Sequence, residues 1–177
     1  MPFLGRWFGG AARRGTEVYV RDLMVEPAAD DVEWLASVAT AHDLDRARWE
    51  LRYLRRALGL LIAHRDALDD ATGSAVARTL REVMAADRNV AAPMLRVAER
   101  QFSERLSAYR EMMGLRGTPD GPAERLGRTL LLLSGAGRMG ADDLAAAAEL
   151  AERCLADVGE RLRAAFGTVL LPKGEAP

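Results

Sequence analysis

From Leu44 onward the apolar residues of this chain recur at alternating steps of three and four: Leu44, Ala47, Leu51, Leu54, Leu58 and Leu61, with Leu68 following after a break at Arg65. An α-helix turns once in 3.6 residues, so this spacing lays one continuous stripe along its side. A second stripe, Trp49, Tyr53, Ala57, Leu60 and His64, runs beside the first. The combined face is wider than one partner helix covers, so the helix is expected at the centre of a bundle, packed on at least two neighbours. The expected fold is therefore all-α: a single-domain bundle of about five or six helices, with this long second helix at its centre and another long helix at its C-terminal end.

Proline, welcome in the first turn of a helix and expelled from its interior, places the other helices. Pro2, Pro27, Pro93, Pro119, Pro122, Pro172 and Pro177 all stand outside helical patterns. The first predicted helix follows Asp30, carries Val32, Leu35, Val38 and Ala39, and ends near His42. The third begins at Thr72 or Ser74 with Val76, Leu80, Val83 and Met84; Asp69 to Gly73 is either a turn or a kink in one long rod. Pro93 opens a fourth helix that carries Leu95, Phe102, Leu106 and Tyr109 and ends at Gly114, before the internal linker from Gly114 to Gly121. Pro122 opens a short fifth, stopped by Gly135. The sixth runs from Asp142 to Phe166 on a seam of Leu144, Ala148, Ala151, Leu155, Val158 and Leu162, with Gly167 as its stop. Small alanines on that seam suit close approach by a neighbouring helix or a second copy of the chain. The expected organisation is an N-terminal segment over 1–27, the bundle over 28–167 and a tail over 168–177. Thr16 to Val20 and Thr168 to Leu171, β-branched or apolar, are candidates for a small ribbon near the termini.

With 177 residues and a hydrophobic fraction of 49%, the chain has ample material for a core. Its 25 basic and 26 acidic side chains nearly cancel, so no overall charge draws it to nucleic acid or to an anionic membrane. Lys173 is the only lysine. The arginine and alanine content reads as the codon bias of a GC-rich, bacterial-like genome. Cys154 stands alone, and neither a membrane-length apolar run nor a secretory pattern is present, so a cytoplasmic location is expected. A position peripheral to the inner face of a membrane is the alternative.

Candidate chemistry is sparse. Gly135, Gly137 and Gly140 form a GxGxxG, but Leu130 to Leu133 before it continues a helical pattern, and a nucleotide-binding sheet needs several parallel strands. The glycines read instead as a turn between helices. His42 and His64 are the only histidines and lack the spacing that projects two metal ligands from one face. No catalytic set, cofactor or metal is expected. Glu50, Tyr53 and His64 on the second helix are the candidates for an interhelical pocket that would take a small ligand or a substrate. The simpler account of Glu50 is an ion pair with Arg46, four residues back.

Arg48, Arg52, Arg55 and Arg56 fall within about a 100° sector of the same helix, opposite its apolar arc. They fit an acidic partner, a phosphate or a lipid headgroup, or else a solvated face paired with acids such as Asp30, Asp31, Glu149 or Glu152. At the N-terminus, Phe3, Leu4, Trp7 and Phe8 crowd around Arg6, ahead of a Gly9-Gly10 hinge and Arg13-Arg14. Such a segment suits contact with a membrane interface or a partner's groove, or covers the bundle's open end.

Leu80-Arg81-Glu82, followed by Phe102-Ser103-Glu104-Arg105-Leu106-Ser107-Ala108-Tyr109, resembles the ubiquinol–cytochrome c chaperone family over residues 80–109. The glycine-rich segment of that family is replaced here by alanine, asparagine and proline. The resemblance implies a helical assembly factor for a respiratory complex. The residues themselves suggest a non-enzymatic helical interaction module that self-associates and acts as an adaptor, scaffold or assembly factor. A membrane-peripheral assembly factor or chaperone is the first alternative, and an enzyme or small-ligand binder the second.

Overall fold

The computed structural model describes the backbone of residues 5–66, 70–87 and 90–167, with side chains from Arg13 onward. Within these residues the chain forms α1 (Gly5–Leu23), α2 (Ala29–Val38), α3 (Leu44–Asp66), α4 (Asp70–Ala85), α5 (Ala92–Gly114), α6 (Pro122–Ser134) and α7 (Ala141–Phe166), and no strand. The central helix is α3, which touches each of the other six. Its two stripes are buried along their middle, from Ala47 to Leu60, while Leu44 and His64 at their ends are exposed, and Ala47, Ala57, Gly59 and Ala63 are small enough to let neighbours approach from several sides.

Seven helices replace the expected five or six because residues 16–20 are helical. The β-branched Thr16, Val18 and Val20 suggested a strand, yet Thr16, Tyr19, Val20 and Leu23 stand at i, i+3, i+4 and i+7 and are all buried. Burial of that face outweighs a weak local preference. The Tyr19 hydroxyl donates to the Gly59 carbonyl at 3.0 Å. Gly59 also leaves room for Leu23, whose side chain would have to shift if a Cβ stood there, 2.3 Å from its Cδ2. Gly9 and Gly10 lie inside α1, so they form no hinge. The other candidate strand, 168–171, lies outside the described residues.

Most other boundaries agree with the sequence to within a residue or two. The exceptions are α2, which ends at Val38 rather than near His42, and α4, which begins at Asp70 rather than Thr72 or Ser74 and contains Gly73, packed beneath the His64 ring. At 23 residues α5 equals α3, so α7 at 26 residues is one of three long helices rather than one of two.

The α2–α3 turn bends through Ala41 (φ 53°) and His42 (φ 66°). The His42 amide donates back to the Ala36 carbonyl at 2.8 Å, and Asp43 Oδ1 accepts from the Arg46 amide at 2.9 Å, capping α3. A left-handed alanine costs about 1 kcal/mol that glycine does not. Ala41→Gly is therefore expected to stabilise the chain by about 0.5–1 kcal/mol. A urea midpoint that stayed put or fell would contradict this.

Gly135 (φ 97°) closes α6, with Ala136 N–H donating to Leu131 O at 3.0 Å, and Gly140 starts α7 by donating to Asp143 Oδ2 at 3.1 Å. The GxGxxG thus joins two helices. Arg125 orders the linker before α6. Its guanidinium donates to the carbonyls of Met112 (3.0 Å), Leu115 (3.2 Å) and Asp120 and to the Thr118 hydroxyl (2.7 Å).

Candidate functional site

The polar groups of α3 are drawn into the bundle. Glu50 does not pair with Arg46. It reaches across to α5, where Arg105 donates to both carboxylate oxygens at 2.6 and 3.1 Å. That hydrogen bond raises the Arg105 guanidinium above its ordinary range, outweighing burial. The Arg105 guanidinium also lies 5.6 Å from the centre of the Tyr53 ring. Tyr53 donates to Gln101 Oε1 at 3.1 Å, and burial pushes its phenol up. Tyr109, also on α5, is fully buried, and burial raises its phenol well above the ordinary value. The whole cluster is a sealed seam between two helices.

The four arginines do not form one anion-gripping face. Arg48 pairs with Asp45 at 2.6 Å, Arg52 with Glu26 at 2.7 Å, and Arg55 with Asp157 at 2.6 Å. Arg56 is 2% exposed, and burial lowers its guanidinium. Arg48 and its partner stay exposed, whereas the α1–α2 link and α7 bring Glu26 and Asp157, acids the sequence could not place beside this face, to Arg52 and Arg55. The Arg52 guanidinium additionally sits 4.7 Å over the Trp49 ring.

Arg52 and Arg55 line a cavity of about 320 Å³ between the α1–α2 link, α3 and α7. Its other arginines are also engaged: Arg153 with Asp31 at 2.9 Å and Arg161 with Asp157 at 3.2 Å. Burial would raise the Asp157 carboxyl, but its hydrogen bonds from Arg55 and Arg161 win and hold it below the usual value. Burial pushes the Cys154 thiol up to about 12, so it is protonated at neutral pH. Every cation in this cavity has its carboxylate.

The larger recess is different. A trough of about 490 Å³ runs between α3, α4 and α5, floored by Leu60, Leu61, Leu80, Met84, Phe102 and Leu106. It exists because α5 buries only Phe102 and Tyr109 fully and meets α4 over a short stretch, leaving Leu95, Ala98 and Leu106 half-buried. His64, Arg81, Arg96, Glu99 and Arg110 stand on its rim, all exposed.

The expected pocket of Glu50, Tyr53 and His64 is thus not formed as one site. His64 borders the trough, whereas Glu50 and Tyr53 belong to the sealed seam. A shared stripe aligns residues around a helix, but 11 residues separate Tyr53 from His64, about 16 Å along the axis. The sequence did show Leu80, Phe102 and Leu106 on apolar faces. It carried no signal that α4 and α5 leave a gap between them.

Of the N-terminal candidates, Phe3 and Leu4 lie outside the described residues. Trp7 and Phe8 fall in the first turns of α1, their side chains outside those described. Among the described residues, no helix is long and apolar enough to cross a membrane, and no group of three or more His, Cys, Asp or Glu could hold a metal ion.

Of the two blocks that suggested the ubiquinol–cytochrome c chaperone family, Leu80 and Arg81 on α4 and Phe102, Ser103 and Leu106 on α5 line the trough, whereas Arg105 pairs with Glu50. No protein-family model matches the chain, and no match was found among curated proteins or solved structures.

Proposed function

We propose that this chain is a non-enzymatic helical interaction module, an adaptor, scaffold or assembly factor, that receives its partner on the α3–α4–α5 face. The observation that carries this reading is the open apolar trough of about 490 Å³. Apolar recesses rimmed by polar groups on otherwise well-packed proteins mark interaction surfaces. The remaining chemistry supports the same conclusion: Glu50 and Asp157 are engaged in ion pairs that join helices, and Arg52 in one that ties the α1–α2 link to α3.

Affinity capture and analytical ultracentrifugation of the wild type and of Leu95→Glu test this. Leu95 lines the trough in the first turn of α5, where a carboxylate suits the helix dipole, so the variant should fold. The expected result is a defined complex, with another protein or with a second copy, that forms on the wild type and is lost on the variant while the thermal midpoint holds. A strictly monomeric chain with no retained partner, or equal retention by both, would overturn the reading.

A further inference from the structure

We propose that the occupant of the trough is an amphipathic helix of three to four turns with carboxylates near both of its ends. This deepens the interaction-module reading and rests on it. The first argument is shape. Along α5 the lining runs from Leu95 to Arg110, 15 residues or about 22 Å. A helix of about 15 residues has the same length, and its apolar stripe at i, i+3, i+4 and i+7 would complete the packing that α3, α4 and α5 leave unfinished. Three helices line the recess, α3 from Leu60 to His64, α4 from Ala77 to Ala85 and α5 from Leu95 to Arg110, so a fourth rod laid along α5 would meet all three.

The second argument is charge. Three guanidiniums, Arg81, Arg96 and Arg110, border the trough against the single carboxylate of Glu99. Among the described residues none of the three forms an ion pair, whereas every arginine lining the other cavity does. Complementary charge on the rim of an apolar groove sets which partner docks and in what register. Arg96 and Arg110 stand 14 residues apart on α5, about 21 Å along its axis. A single-chain lipid carries one headgroup and answers one of them. A helix with acidic residues at both ends answers both, and Arg81 on the facing wall meets its flank.

The test uses the full chain and a phage-displayed library of 16-residue helices. Leucine is fixed at i, i+3, i+4, i+7 and i+11, and the other positions vary among Glu, Lys, Gln and Ala. Glutamate is expected to exceed lysine at the terminal positions by about fivefold or more. The selected peptide should bind Arg96→Glu/Arg110→Glu at least about tenfold more weakly, the scale of a lost pair of charge contacts. Its amide shifts should map to α4 and α5. Lysine enrichment, no charge preference, no selected binders, binding insensitive to the double variant, or shifts confined elsewhere would overturn the proposal. Tight palmitate binding that displaces the peptide would identify a lipid site instead. If the selection fails while Leu95→Glu still loses its captured complex, the acidic-helix inference falls and the interaction module stands.

Discussion

Replacing Arg105 with methionine is expected to destabilise the native state by about 3–5 kcal/mol, the penalty for leaving one partner of a buried ion pair without the other. The Glu50 and Arg105 side chains are only 4% and 12% exposed, and their contact joins α3 to α5 by two hydrogen bonds. Without Arg105, the Glu50 carboxylate would be left buried without the charge that pairs with it. For a chain of this size each kcal/mol moves the thermal midpoint by roughly 2–4 °C, so the single variant should melt about 6–20 °C lower. Glu50→Leu/Arg105→Met removes both charges and should recover most of that loss, because an apolar pair of similar volume needs no desolvation repayment. Urea unfolding of the wild type, both single variants and the double variant gives the coupling. If the double variant were no more stable than the worse single, or if Arg105→Met moved stability by less than about 1 kcal/mol, the pair would not be the buried lock described here.

The second large effect belongs to Gly127. A Cβ built there would lie 2.5 Å from the carbonyl carbon of Ala147 and 2.6 Å from both its oxygen and the Ala148 nitrogen. These are backbone atoms of α7, which cannot rotate away as a side chain could. In an open helix Gly→Ala gains about 1 kcal/mol. At this crossing Gly127→Ala must push α7 off α6 and disturb Leu126, Leu130, Leu150 and Ala151 around it, so a net loss of about 3 kcal/mol is expected. Gly159→Ala is the internal control. Its Cβ would meet only Arg163 Nη1, at 3.7 Å, an ordinary contact, so this change should be neutral or stabilising. Equal urea midpoints for the two variants would show that α6 and α7 do not cross this closely.

The contrast between these sites marks what was legible in the sequence. The α3 stripes from Leu44 to His64 named the central helix directly, because burial around a helix is written in its period. The same period was present at Thr16, Tyr19, Val20 and Leu23, but so few residues, three of them β-branched or aromatic, also suit a strand. The glycines from Gly135 to Gly140 were readable as a helix–helix turn because Leu130 to Leu133 before them continue a helical pattern.

Pairings across the fold were not readable. Glu50 had Arg46 within reach in sequence, yet its partner Arg105 lies 55 residues away. Likewise the arginines of α3 were visible as a sector, while Glu26 and Asp157, which neutralise Arg52 and Arg55, arrive from other elements. The trough is a property of three helices at once. Its walls were legible as apolar faces, but whether a face is covered depends on where α4 and α5 part.

The most direct measurement is photo-crosslinking in the native cell, with a benzophenone side chain placed at Met94 or at Leu132. Both positions are exposed, at 53% and 55%, but Met94 stands beside the trough and Leu132 on α6 is not among its lining residues. We expect a discrete heavier protein adduct from Met94 and none from Leu132. Adducts from Leu132 alone, equal adducts from both, or none from either would contradict the claim that this bundle works through its α3–α4–α5 face.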